Sequence, residues 1–192
     1  MQGIFFFEFV EMVESMFSIE MAGLILDESL LPSKGIYTAG GIYDHRELLH
    51  LVDKLSEKTA IPVEELMNSF GNYLFERLSL RYPNFFEGSA SAFDFLSAIE
   101  DHIHTEVRKI YPESELATFD TVRPDAETLL LTYSSQRPFG ALALGLVQGC
   151  CRHFNENIDI VQEDQSTDSV NQFLFTLTRH CHHGVEKVEE QP

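Results

Sequence analysis

The stretch Leu131-Thr132-Tyr133-Ser134-Ser135-Gln136-Arg137 decides how this chain is read. Residues 129–135 run Leu-Leu-Leu-Thr-Tyr-Ser-Ser, a composition suited to a strand. In an extended strand alternate residues share a face, so Tyr133, Ser135 and Arg137 project together over about 13 Å, at roughly 3.3 Å per residue. A phenol, an alcohol and a guanidinium in one row suit a flat ligand bearing carboxylates. The guanidinium fork grips a carboxylate through two bonds, and the hydroxyls donate to its remaining lone pairs.

Working outward, the segments on either side predict an α+β chain. Upstream, Ile4 to Phe17 is densely apolar, with Glu8, Glu11 and Glu14 at helical spacing on the other side. Gly23 to Pro32 mixes apolar and acidic residues, and Lys34 to Gly41 reads as a loop. Asp44 can cap a helix running to about Leu55, with Leu48, Leu49, Val52 and Leu55 as its buried stripe. Pro62 opens another, in which Val63, Leu66, Phe70, Leu74 and Leu78 form one face to about residue 81. Ser91 to Ile110 predicts one long helix that ends at Tyr111-Pro112.

After Pro112 the texture changes. Residues 117–122 and 127–134 are strand-like and flank Arg123-Pro124-Asp125, a hairpin turn. Phe139 to Phe154 is a helix rich in small residues, and residues 158–161 and 172–177 are two further strands. About five helices, two strands, a helix and two strands predict a helical N-terminal lobe, about residues 1–60, and C-terminal helices packed on a four-stranded antiparallel sheet. Residues 1–183 read as one domain, and residues 184–192 as an acidic tail.

Composition narrows the function. Thirteen basic residues against 31 acidic ones leave a net charge of −18, which speaks against nucleic acid or anionic membrane as a partner of the bulk surface. Sixteen Phe and no Trp give an aromatic interior with room for a bulky apolar ligand. No run of 18 apolar residues occurs and no basic leader precedes an apolar segment, so the chain reads as soluble and cytoplasmic. Cys150, Cys151 and Cys181 do not make a disulfide framework. Nothing pairs a nucleophile with an oriented base, so the reading is not that of an enzyme.

Tyr133-x-Ser135-x-Arg137, preceded 29 residues earlier by His104 on a helix that ends in Tyr111-Pro112, resembles the haem nitric oxide/oxygen binding (H-NOX) family. The Met-x-Gly start, Gly71 and Gly145 strengthen the likeness, which spans about residues 1–180. The resemblance implies haem b, with His104 as the axial iron ligand and Tyr133, Ser135 and Arg137 holding the propionates. It also implies apolar walls, for which Phe5, Leu74, Leu78, Leu142 and Leu146 are the candidates.

Periodicity leaves His102 and His104 equally placed beside the apolar stripe, and only the family spacing to Tyr111 selects His104. Members that hold O2 carry a tyrosine three residues before the glycine matched by Gly145, a position occupied by Leu142. Leu74 likewise brings no donor; the adjacent Tyr73 would reach inward only from a shifted helix. The implied function is a sensor of NO, with CO as a surrogate and little or no stable O2 binding. Its signal would be a weakened bond between iron and His104, passed to a separate partner such as a histidine kinase or a cyclic-di-GMP enzyme.

Two departures from the family pattern bear on this reading. Ala117 stands where many members place a proline against the haem, which implies a flatter ring. The cysteines of the structural zinc site found in several relatives are missing: His153 could match its histidine, but Ala141 and residues 162–173 supply no thiol. The rival reading from another class is a haem-independent protein-interaction module.

Overall fold

The structure, a computed structural model, describes residues 1–112 and 115–180. The ligand-rich stretch from Cys181 to His183 and the acidic tail lie outside the described residues.

Four helices make the N-terminal part. α1 (Gly3–Met16) buries Phe6, Phe9, Met12 and Val13 on one stripe. α2 (Ile19–Glu28) is capped by Ser18, whose hydroxyl accepts from Met21 N–H at 3.1 Å. No clear apolar stripe announces α2, because only Ala22 and Ile25 are buried and its other apolar side chains remain at least partly exposed. α3 (His45–Thr59) starts at Asp44, whose carboxylate accepts from Arg46 N–H, as expected. α4 (Val63–Arg81) carries Leu66, Met67, Phe70 and Leu74 into the same core.

The expected helix from Ser91 to Ile110 is divided. α5 (Ala92–Ala98) gives way to a π-helical turn, Ile99–Ile103, and then to α6 (His104–Ile110). The N–H of His104 donates to the carbonyl of Ile99, five residues back rather than four. An extra residue in that turn breaks the 100° phase on which the stripe argument rested.

The sheet follows as β1 (Thr118–Val122), β2 (Thr128–Ser135), β3 (Ile158–Asp164) and β4 (Asn171–Arg179), with α7 (Gly140–His153) between β2 and β3. All pairings are antiparallel and the strand order is β1-β2-β4-β3. Along β2, Leu129, Leu131 and Tyr133 point inward, opposite Leu177, Phe175 and Phe173 of β4. With Phe93, Leu96, Val147 and Cys150 they build a second core, separate from that of α1 to α4.

Glycine joins the two halves. A Cβ on Gly145 would strike the carbonyl of Asn68 and lie 2.9 Å from Gly71 Cα, and one on Gly71 would lie 2.8 Å from the backbone nitrogen of Leu146. α4 and α7 therefore cross backbone against backbone, and no side chain fits between them. The same crossing fixes where α7 presents Leu142 and Leu146.

Candidate functional site

A cavity of about 320 Å³ lies between the two cores, at the lower end of the ~300–1,000 Å³ usual for small-molecule sites. It is lined by His104, Tyr133, Ser135 and Arg137 together with Phe5, Ala117, Leu142 and Leu146. Those eight residues, spread between positions 5 and 146 of the chain, meet in one space. Leu74 and Leu78 do not line it: Leu74 is fully buried in the N-terminal core, and Leu78 packs against that core. α4 turns Gly71 toward α7, and Leu66 and Leu74 into the core it shares with α1 and α3. Tyr73 is also absent from the lining.

His104 enters from the first turn of α6, and its side chain is 13 % exposed. Its Nδ1 lies 3.0 Å from Glu100 Oε2. Burial works against ionising the Glu100 carboxyl, but Arg108 and His104 beside it outweigh burial and hold its pKa below the ordinary value. An ionised carboxylate only accepts, so Nδ1 carries the hydrogen and Nε2 is left as a base. Burial lowers the His104 pKa, against an opposing pull from Glu100. A neutral imidazole of fixed tautomer is the form that binds a metal. His102, two residues earlier in the sequence, is exposed.

Opposite stands β2. Tyr133 is buried, 4 % exposed, and burial pushes its phenol above the usual value. Ser135 ends the strand, and Arg137 sits in the bend that follows, not on the strand itself. The Arg137 N–H donates to Ser135 Oγ at 3.0 Å, which tightens the bend and brings the guanidinium back beside the row. That guanidinium donates to the Glu115 carbonyl at 3.0 Å and to Glu115 Oε2 at 2.6 Å. A carboxylate thus already seats against Arg137 at the cavity rim, although Glu115 itself is largely exposed. The arrangement of one neutral imidazole, an apolar space and a carboxylate-accepting row fits haem.

Several lining residues gave no sequence signal. Phe119 stacks obliquely near His104, 5.6 Å between ring centroids, and is 5.5 Å from Tyr133. It follows Ala117 by two positions in strand order and pairs with Tyr133 in register, so strand pairing would have revealed it. Phe139 starts α7's wall. Met1, Gln2 and Ile42 reach the cavity because Gln2 and Ile42 form an isolated bridge and Gly3 N–H donates to the Gly41 carbonyl at 2.7 Å. Only tertiary contact could place them there.

Cys150 and Cys151 are buried and unpaired, and burial raises both thiols, Cys151 to about 11. His153 packs against Phe86 and Phe154. Among the described residues no group of three His, Cys, Asp or Glu is arranged to hold a metal ion, and no helix is long and apolar enough to cross a membrane.

Comparison with known proteins places these features in a family. Residues 2–162 match the haem-NO-binding family model. A search of curated proteins finds no match. Among solved structures, the unliganded Fe(II) H-NOX protein of K. algicida is 33 % identical, with a TM-score of 0.88 over 97 % of this chain and 100 % of that one. The H-NOX protein of Shewanella woodyi in the Fe(II)CO state is 39 % identical, with a TM-score of 0.80 over the whole of both chains. An Fe(II)NO H-NOX protein of S. oneidensis, 23 % identical over 94 % of this chain and 100 % of that one, shares the fold at a TM-score of 0.84. Matched by the family model over most of its length, and alike in fold and sequence to solved members, this chain belongs to the haem-NO-binding, or H-NOX, family.

Proposed function

We propose that this chain is a haem b sensor that takes NO, with CO as a surrogate, and passes its state to a separate partner protein without catalysing a reaction. The observation that carries the reading is the pairing of His104, neutral and fixed by Glu100, with Tyr133, Ser135 and Arg137 across one apolar cavity. When bound, the haem would supply a ferrous iron able to take a diatomic gas, and His104 is the residue placed to hold it.

His104 is the residue that holds the iron, through Nε2. Tyr133, Ser135 and Arg137 hold the carboxylate edge, with Arg137 exchanging its bond to Glu115 for the incoming carboxylates. Leu142, Ala143, Leu146 and Phe5 keep water out and bring no hydrogen-bond donor from their side chains. Bound O2 needs such a donor far more than NO or CO does, so these four side chains favour the latter two. Ala117, a small residue in the same lining, would leave the ring room to lie flat.

The signal lies in how firmly His104 is held. α6 meets the cavity through His104, whereas β2 meets it through the carboxylate row, so slackening of His104 frees α6 to move against the sheet. A ligand shifts such an equilibrium only through its unequal affinity for the two arrangements, and a ligand that weakens the His104 bond has that inequality. The partner is a signalling protein such as a histidine kinase or a cyclic-di-GMP enzyme, met in the cytoplasm. Haem titration of the wild-type chain and of His104→Ala tests the reading. Uptake with a strong Soret band that His104→Ala alters supports it. An unchanged spectrum in His104→Ala, or no uptake by either, supports the haem-independent interaction module instead.

A further inference from the structure

Glu100 stands at the centre of four contacts, three of them to its carboxylate. Oε2 takes the Nδ1 hydrogen of His104 at 3.0 Å and lies 3.3 Å from the backbone nitrogen of Phe119 in β1. Oε1 takes the Arg108 guanidinium at 2.6 Å, and the Glu100 carbonyl lies 3.5 Å from the Thr105 hydroxyl. Arg108, from the far end of α6, stops the carboxylate from rotating away, and Phe119 ties it to the sheet. The residue stands in the π-helical turn, where the widened spiral sends the His104 N–H to Ile99.

We propose that Glu100 is the positioning residue for His104, fixing its tautomer and ring plane and raising the basicity of Nε2, and thereby setting how readily the imidazole lets go of the iron. A histidine that donates its far N–H to a carboxylate is a stronger metal ligand than one that donates to water, and loss of such an outer partner commonly weakens the metal bond ~10–100-fold. The chain therefore sets its threshold for release through a side chain that touches neither haem nor gas. Because β1 pairs with β2, the same carboxylate also links α6 to the strand that carries the carboxylate row. The inference rests on the haem reading above for its consequence, and on the apo geometry alone for its cause.

The test compares wild type with Glu100→Gln, Glu100→Ala and the control Asp101→Asn, an exposed carboxylate on the same turn. Nitrogen-15 NMR of the haem-free chain reads the His104 tautomer, resonance Raman of the ferrous protein reads the iron–histidine stretch, and stopped-flow absorbance reads loss of that bond after NO is added. Both Glu100 variants should lower the stretching frequency and speed bond loss ~10-fold or more, Ala beyond Gln, while Asp101→Asn matches wild type. Glu100 variants that fold, bind haem and share the wild-type band and rate would overturn the proposal. Should Glu100→Ala fail to fold, the isosteric Gln decides. Should the wild type take up no haem, the haem reading fails by itself. The NMR spectrum then decides alone: a wild type fixed with hydrogen on Nδ1 and a mixed Gln variant uphold Glu100's role, and mixed tautomers in the wild type refute it.

Discussion

Gly145→Ala tests the claim that the two halves are joined backbone to backbone. The added methyl would sit 2.9 Å from Gly71 Cα and within the contact radius of the Asn68 carbonyl, where carbon atoms ordinarily settle at about 3.5–4.0 Å. Neither neighbour is a flexible side chain, so α4 and α7 must part by something near 1 Å, the shortfall between those distances. Because backbone rather than a flexible side chain must move, the overpacking costs roughly 2–3 kcal/mol, the upper part of the usual range, and the higher helix propensity of alanine returns about 1 kcal/mol of it. A net loss of about 1–2 kcal/mol corresponds to a melting temperature lower by roughly 2–8 °C in a chain of this size. Gly23→Ala is the matched control, since a Cβ there meets nothing within 4 Å. It should gain about 0.4–1 kcal/mol. Thermal melts of the haem-free proteins, followed by circular dichroism, separate the two, and omitting ligand avoids stabilisation by binding. A Gly145→Ala variant that melts at or above the wild type, beside a Gly23→Ala variant that gains, would refute the close crossing.

Other changes probe the site and its frame. Arg137→Lys removes the two-pronged grip that suits a carboxylate, and should weaken haem retention ~10-fold or more in transfer of haem to an acceptor protein; unchanged retention would detach Arg137 from the ligand. Leu142→Tyr places a hydroxyl in the cavity wall, and should produce an O2 complex in air that the wild type lacks, read by absorbance. Glu8 is buried and paired with Arg77 at 2.9 Å and Arg81 at 3.2 Å. Replacing both arginines by methionine strands that carboxylate and should cost about 3 kcal/mol in urea denaturation, less if water reaches it through the half-exposed arginine positions. Cys150 and Cys151, buried and with raised thiol pKa values, should resist iodoacetamide at neutral pH in the native protein and react promptly in denaturant, as counted by mass spectrometry.

The parts of this molecule that follow one local rule were legible in its sequence. The two-residue period of a strand put Tyr133 and Ser135 on one face of β2, and Asp44 named the start of α3. Where two rules compete, the sequence was silent or misleading. His102 and His104 could not be told apart because a regular 100° per residue sets both equally far from the apolar stripe, and the π-helical turn Ile99–Ile103 departs from that angle just where the choice is made. Leu74 belongs to an apolar face, as the pattern said, but that face serves the N-terminal core because glycine, not leucine, meets α7. Phe119, Glu100 and Glu115 act through contacts with strands and loops distant in sequence, and no periodicity encodes such contacts. Arg137 reached the row by a bend closed on Ser135, a turn that a straight-strand reading cannot anticipate.

The central claim is that His104 and the Tyr133, Ser135 and Arg137 row hold a haem in a cavity where the side chains of Phe5, Leu142 and Leu146 bring no hydrogen-bond donor. Absorbance spectra of the ferrous haem-loaded protein, recorded without ligand, under NO, under CO and in air, test it most directly. The account predicts a Soret band that shifts with NO and with CO and forms no lasting O2 complex in air. A stable oxy spectrum would contradict the reading of Leu142 and its neighbours, and the absence of any Soret band would contradict the haem site itself.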